Sequence, residues 1–140
     1  MPPDMSKLVA LVTSDCFGPV HPSAVKGMEL FNRGEYFAAH EALEAAWREE
    51  TGSIRELYRG ILQASVVYLH LLRGNFEGAM KVYQRSLKWL SPWPENCRGI
   101  AVGQLRRDLE AVTIAMQKLG PERISSFDRA LIKPVIYAEQ

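Results

Sequence analysis

Residues 53–74 read SIRELYRGILQASVVYLHLLRG, and this stretch decides the fold. Between Ile61 and Leu72 it is apolar on nearly every side of a helix, interrupted only by Gln63, Ser65 and His70. A helix that is greasy all round must be covered all round, which predicts the central helix of a bundle. It is too short to cross a bilayer, which takes roughly 20 consecutive apolar residues. Ser53-Ile54-Arg55-Glu56 has the pattern of a capping box, in which hydroxyl and carboxylate satisfy free backbone N–H groups at a helix start. Gly74, after Arg73, is a natural stop.

Helices are also predicted on both sides of this one. A second helix, upstream, carries Tyr36, His40, Leu43 and Trp47 as its inward stripe, with Glu41, Arg48, Glu49 and Glu50 outside. Earlier still, Val25, Met28, Leu30 and Phe31 run from Pro22 to Gly34 as a short first helix. Downstream, Asn75 caps a helix from Phe76 to about Leu90, closed by Ser91-Pro92-Trp93-Pro94 because proline cannot continue a helix. A fifth helix follows Leu105, Leu109, Val112, Met116 and Leu119 to Gly120-Pro121, and Ile124 to Ile132 forms one more short helix. No stretch alternates as a strand does. Arg33-Gly34-Glu35-Tyr36 with Ala39 is echoed by Arg73-Gly74-Asn75-Phe76 with Ala79, as in helical hairpins of tetratricopeptide type. The expected fold is therefore all-α: a compact bundle of two related hairpins plus a C-terminal helix. Residues 1–20, rich in Pro and Gly without periodicity, are expected to form an N-terminal arm, and residues 21–140 a single domain.

A chain of 140 residues, 47% of them hydrophobic, suits one self-sufficient core. Seventeen Lys and Arg against sixteen Asp and Glu leave a formal charge of +1, which lacks the electrostatic footprint of a nucleic-acid or anionic-membrane binder. Small molecules, a protein partner or a second copy of the chain remain as ligands. Cys16 and Cys97 lie far apart and outside any C-x-x-C pattern, so two reduced, partly buried thiols are expected. Lys7 and the short run Leu8 to Val12 do not make a signal peptide, and the expected location is cytoplasmic.

The residues of chemical interest are His40, Glu44 and Trp47. At i, i+4 and i+7 they share one side of a helix, so an imidazole and a carboxylate are aimed together where an indole packs. Arg59, Gln63 and His70 form a comparable polar stripe on the central helix. If the two stripes face each other, His40, Glu44 and His70 are candidate ligands for zinc or another first-row divalent ion. Gln63 would then hydrogen-bond to a ligand side chain, Trp47 would line the pocket and Glu41 would stand at its edge. A metal so held could activate water for hydrolysis. The competing interpretation makes the same cluster a buried hydrogen-bonded network in a non-enzymatic interaction module or homo-oligomer. His40-Glu41-Ala42-Leu43-Glu44 has glutamate where a zincin helix has its second histidine, which argues against protease chemistry.

The stretch from Phe31 to Trp47, with Gly60-Ile61-Leu62-Gln63-Ala64 and the segment His70 to Ala79, resembles domain of unknown function family 309, small bacterial and archaeal helical proteins. The family is marked by H-x-x-x-E-x-x-W or Y, matched here by His40, Glu44 and Trp47. The resemblance covers about residues 25 to 90 and implies an all-α bundle and a metal-binding role for the motif, with no substrate.

Overall fold

A computed structural model describes residues 15–140. It contains α1 (Pro22–Asn32), α2 (Tyr36–Glu49), α3 (Arg55–Leu72), α4 (Phe76–Leu90) and α5 (Val102–Leu119), then 3-10 turns at Pro121–Ser126 and Arg129–Leu131. Among the described residues there is no strand, only the isolated bridges Cys97–Ile100 and Ile100–Tyr137. The all-helical expectation holds. The single helix expected over Ile124 to Ile132 is instead two short 3-10 pieces, separated by Phe127 and Asp128. No helix among these residues is long and apolar enough to cross a membrane.

Helix boundaries follow local chemistry. Gly34 and Gly74 adopt φ of +79° and +73°, a left-handed conformation that residues with a Cβ resist, and so end α1 and α3 alike. Asn75 accepts from the Gly78 amide at 2.9 Å and starts α4 as expected. His21 is the N-cap of α1: its Nδ1 accepts from Ser23 N at 3.0 Å. That leaves Nε2 as the protonated nitrogen, 2.9 Å from Glu49 on α2.

The start of α3 departs from the expected capping box. Ile54, not Ser53, is the N-cap and supplies no side-chain bond. Asp15 caps from a distant part of the chain: one carboxylate oxygen accepts from the Ile54 amide at 2.5 Å and from the Ser53 hydroxyl at 2.7 Å. The carboxylate thus takes up two donors at the positive end of the helix dipole.

α3 is the central helix. Leu57, Tyr58, Ile61, Ala64, Val67 and Tyr68 are all fully buried. α2 packs along one side of it and α4 along the other, while α1 packs on α2. Tyr68 meets Phe31 and Tyr36 edge-on at 5.5 and 5.6 Å, joining α1, α2 and α3 by favourable aromatic contacts. Close approach depends on glycine. A Cβ on Gly27 would lie 2.5 Å from Leu43 Cγ, and one on Gly60 would lie 2.6 Å from Leu90 Cδ2.

The tail closes the domain. Asn32 on α1 exchanges two hydrogen bonds with the backbone of Val135, at 2.9 and 2.8 Å, imitating a strand partner. Val20 N donates to the Gln140 side chain at 3.1 Å. Cys16 and Cys97 form a disulfide across 81 residues, which corrects the expectation of two free thiols. Their spacing carried no sign of it, because tertiary packing alone brings the two sulfurs together. Of the arm expected over residues 1–20, residues 1–14 lie outside the described residues, and residues 15–20 are fastened to the body.

Candidate binding groove

Of the inward stripe of α2, Tyr36 and Leu43 are sealed in the core, whereas His40 and Trp47 lie half-buried. His40 Nε2 is 3.5 Å from Glu44 Oε2, and the other carboxylate oxygen of Glu44 pairs with Arg48 at 2.5 Å. Both side chains of the first pair are close to 30% exposed. The exposed ring of Phe37 lies over His40, with centroids 6.3 Å apart. Phe37, His40 and Glu44 therefore form an open edge on α2.

On α3 the facing stripe begins with two arginines. Arg55 donates to the Trp47 carbonyl at 3.1 Å, and its guanidinium lies 4.7 Å from the Trp47 ring centroid. Arg59 sits between two indoles, 4.6 Å from Trp47 of α2 and 4.3 Å from Trp89 of α4. Lys88 covers Trp89 from 4.9 Å. Cations over indole faces are attracted by the ring quadrupole, so Arg59 ties three helices together at the surface. Arg59 also pairs with Glu56 one turn earlier, across 3.3 Å.

Beside this stack is a groove of about 300 Å³, lined by Glu44, Trp47, Arg59, Leu62 and Gln63. Two polar atoms of its lining residues, Trp47 Nε1 and Gln63 Oε1, are buried and lack a hydrogen-bond partner. One is a donor and the other an acceptor. Buried groups of this kind are uncommon in native proteins, because each forfeits hydration without compensation. A smaller depression of about 210 Å³ is lined by Glu41, Glu44, Ala45 and Arg48.

The structure brings together part of the set named from sequence. His40 and Glu44 pair, and Glu44, Trp47 and Gln63 share the groove. Glu41 is exposed at the margin. His70 is at the other end of α3, where its Nδ1 pairs with Asn75 Nδ2 at 3.1 Å. Among the described residues no three His, Cys, Asp or Glu side chains are grouped to hold a metal ion. Sequence reasoning named Arg59 only as a polar member of its stripe and missed Arg55, Lys88 and the place of Arg59 between Trp47 and Trp89.

Residues 25–82 match the family model described as Domain of unknown function (DUF309). An uncharacterized protein of Aquifex aeolicus (strain VF5) is 32% identical over 83 residues, which make up 59% of this chain and 25% of that protein. The chain thus spans about a quarter of the length of this relative. The His40, Glu44 and Trp47 motif on α2 and the glycine-closed hairpins that carry it lie within the residues that match this family model.

Proposed function

We propose that this protein is a non-enzymatic binding module whose groove between α2 and α3 holds an extended segment of a partner polypeptide. The observation that carries this reading is the unpartnered pair at the groove, the Trp47 indole N–H and the Gln63 amide oxygen. A peptide unit offers one acceptor and one donor, enough for both once the Trp47 and Gln63 side chains turn toward the groove. Leu62 supplies apolar contact, while Glu44 and Arg59, each already paired along its own helix, form the polar rim of the groove. In the Aquifex aeolicus relative the matched region is a quarter of a longer chain, which fits a module working beside other domains.

Selection from a random peptide library tests this reading. Selected peptides should shift the Trp47 indole and Gln63 amide resonances and lose at least about tenfold in affinity, roughly 1.4 kcal/mol, against Gln63→Leu. Peptides whose contacts map elsewhere would reject it. Light scattering over a concentration series separates the case in which the occupant is a second copy of this chain.

A second reading is favoured by the 3.5 Å pairing of His40 with Glu44, which offers one nitrogen and one oxygen to a divalent ion. Zinc or another first-row metal would take these two ligands, with further ones supplied by water or a partner. Arg48 weighs against it, since it already neutralises the Glu44 carboxylate. Elemental analysis beside a His40→Ala, Glu44→Ala double variant decides the matter: stoichiometric metal lost in the variant supports this reading, and none in either protein removes it.

A further inference from the structure

We propose that the Cys16–Cys97 disulfide is a redox-controlled latch that holds Asp15 as the cap on the N-terminus of α3 and frees it on reduction. The bridge fastens the segment ahead of α1 to the loop between α4 and α5. Next to it, Arg98 gathers the same segment: its backbone N–H donates to the Cys16 carbonyl at 3.1 Å. Its guanidinium donates to the Asp15 carbonyl at 2.6 Å, the Asp15 carboxylate at 2.8 Å and the Pro19 carbonyl at 2.7 Å. Arg98 reaches this position with φ of +51°, a region that residues with a side chain seldom occupy. One Asp15 oxygen is taken by Arg98, and the other is spent on Ile54 and Ser53.

This is a relay from a covalent bond to a helix end. α3 has no cap of its own, so its first turn depends on a carboxylate that sits one residue from Cys16. With the bridge closed, the Asp15 carboxylate is tethered beside the Ile54 and Ser53 donors at high effective concentration. With the bridge open, partly exposed hydrogen bonds alone hold the segment, and the first turn of α3 opens more often. Arg55, adjacent to Ile54, rests on Trp47, so the groove's edge lies next to the latch. The latch stands whether or not the groove binds peptide.

The chemistry is thiol–disulfide exchange with a dithiol reductant. A thiolate of the reductant attacks Cys16 Sγ, the better exposed side of the bridge, since Cys97 is 1% exposed. Cys97 leaves as a thiolate and takes up a proton. The second thiol of the reductant then displaces Cys16, which takes up the other proton. Two electrons pass to the protein, two thiols remain on it, and the reductant departs as its own disulfide.

Hydrogen exchange on the oxidised protein and on the same protein reduced by dithiothreitol tests the latch, with free thiols counted before and after denaturation. Reduction should speed exchange of the Ile54 amide at least about tenfold, while amides of α5 between Leu105 and Met116 keep their rates. Asp15→Asn, with the bridge intact, should speed Ile54 in the same way. Unchanged Ile54 exchange in the reduced protein overturns the proposal. So does a bridge that dithiothreitol cannot open under native conditions, or a reduced protein that loses protection in α3 and α5 together, since the bridge would then be a plain structural staple.

Discussion

The Ser86 hydroxyl donates to the carbonyl oxygen of Gly60 at 2.9 Å, fully buried where α4 crosses α3. The bond exists because Gly60 has no side chain to hold the two helices apart.

Gly60→Ala should therefore be costly although alanine is the better helix former. Its Cβ would stand 2.8 Å from Leu90 Cγ, and Leu90 is fully buried with no room to retreat. We expect a loss of about 1–3 kcal/mol in urea unfolding at unchanged m-value, as for overpacked cores. Ser86→Ala should lose about 1 kcal/mol, one hydrogen bond's worth.

Tyr68→Phe should be neutral or stabilising at neutral pH and should flatten the alkaline limb of the stability curve. The Tyr68 hydroxyl is buried without a partner, and burial pushes its pKa far above the ordinary tyrosine value. Tyr36 and Tyr58 are raised by the same cause. Above pH of about 10 the unfolded chain releases these protons while the folded chain keeps them, so stability is full below that pH and falls as pH rises through it. Urea midpoints between pH 8 and 11, wild type against variant, measure the difference. An equal alkaline loss in both would assign the effect to other groups.

Substitution of His40 by alanine should change stability by less than about 1 kcal/mol, because the His40–Glu44 pair is partly exposed and Glu44 keeps Arg48. Thermal unfolding at low and high salt checks this. A loss of several kcal/mol would mean that the pair is tied into the core more tightly than its geometry shows.

For the surface stack, a double-mutant cycle of Trp47→Leu and Arg59→Met should return a coupling energy of about 0.5–1 kcal/mol, the range of a partly exposed cation–π contact. A cycle with zero coupling would reduce the stack to coincidental packing.

The bundle was readable from sequence because its signals are local and redundant. Apolar spacing on α3, Asn75 before α4 and glycines after α1 and α3 each act within a few residues, and each produces the expected element. The capping box failed because Ser53 spends its hydroxyl on Asp15, almost forty positions away, and Asp15 itself accepts from the Ile54 amide. The disulfide was unreadable for a similar reason: it depends on how the segment ahead of α1 returns to the α4–α5 loop, which no periodicity encodes. The site was half legible. His40 and Glu44 meet because four residues make one helical turn, whereas His70 belongs to a helix end whose partner, Asn75, lies in its own turn.

The hydrogen bond between Val20 and the side chain of Gln140 brings the entry to α1 and the last residue of the chain to one pole of the molecule. Replacing Gln140 by alanine would strip the Val20 amide of its acceptor and loosen two segments 120 positions apart in one step.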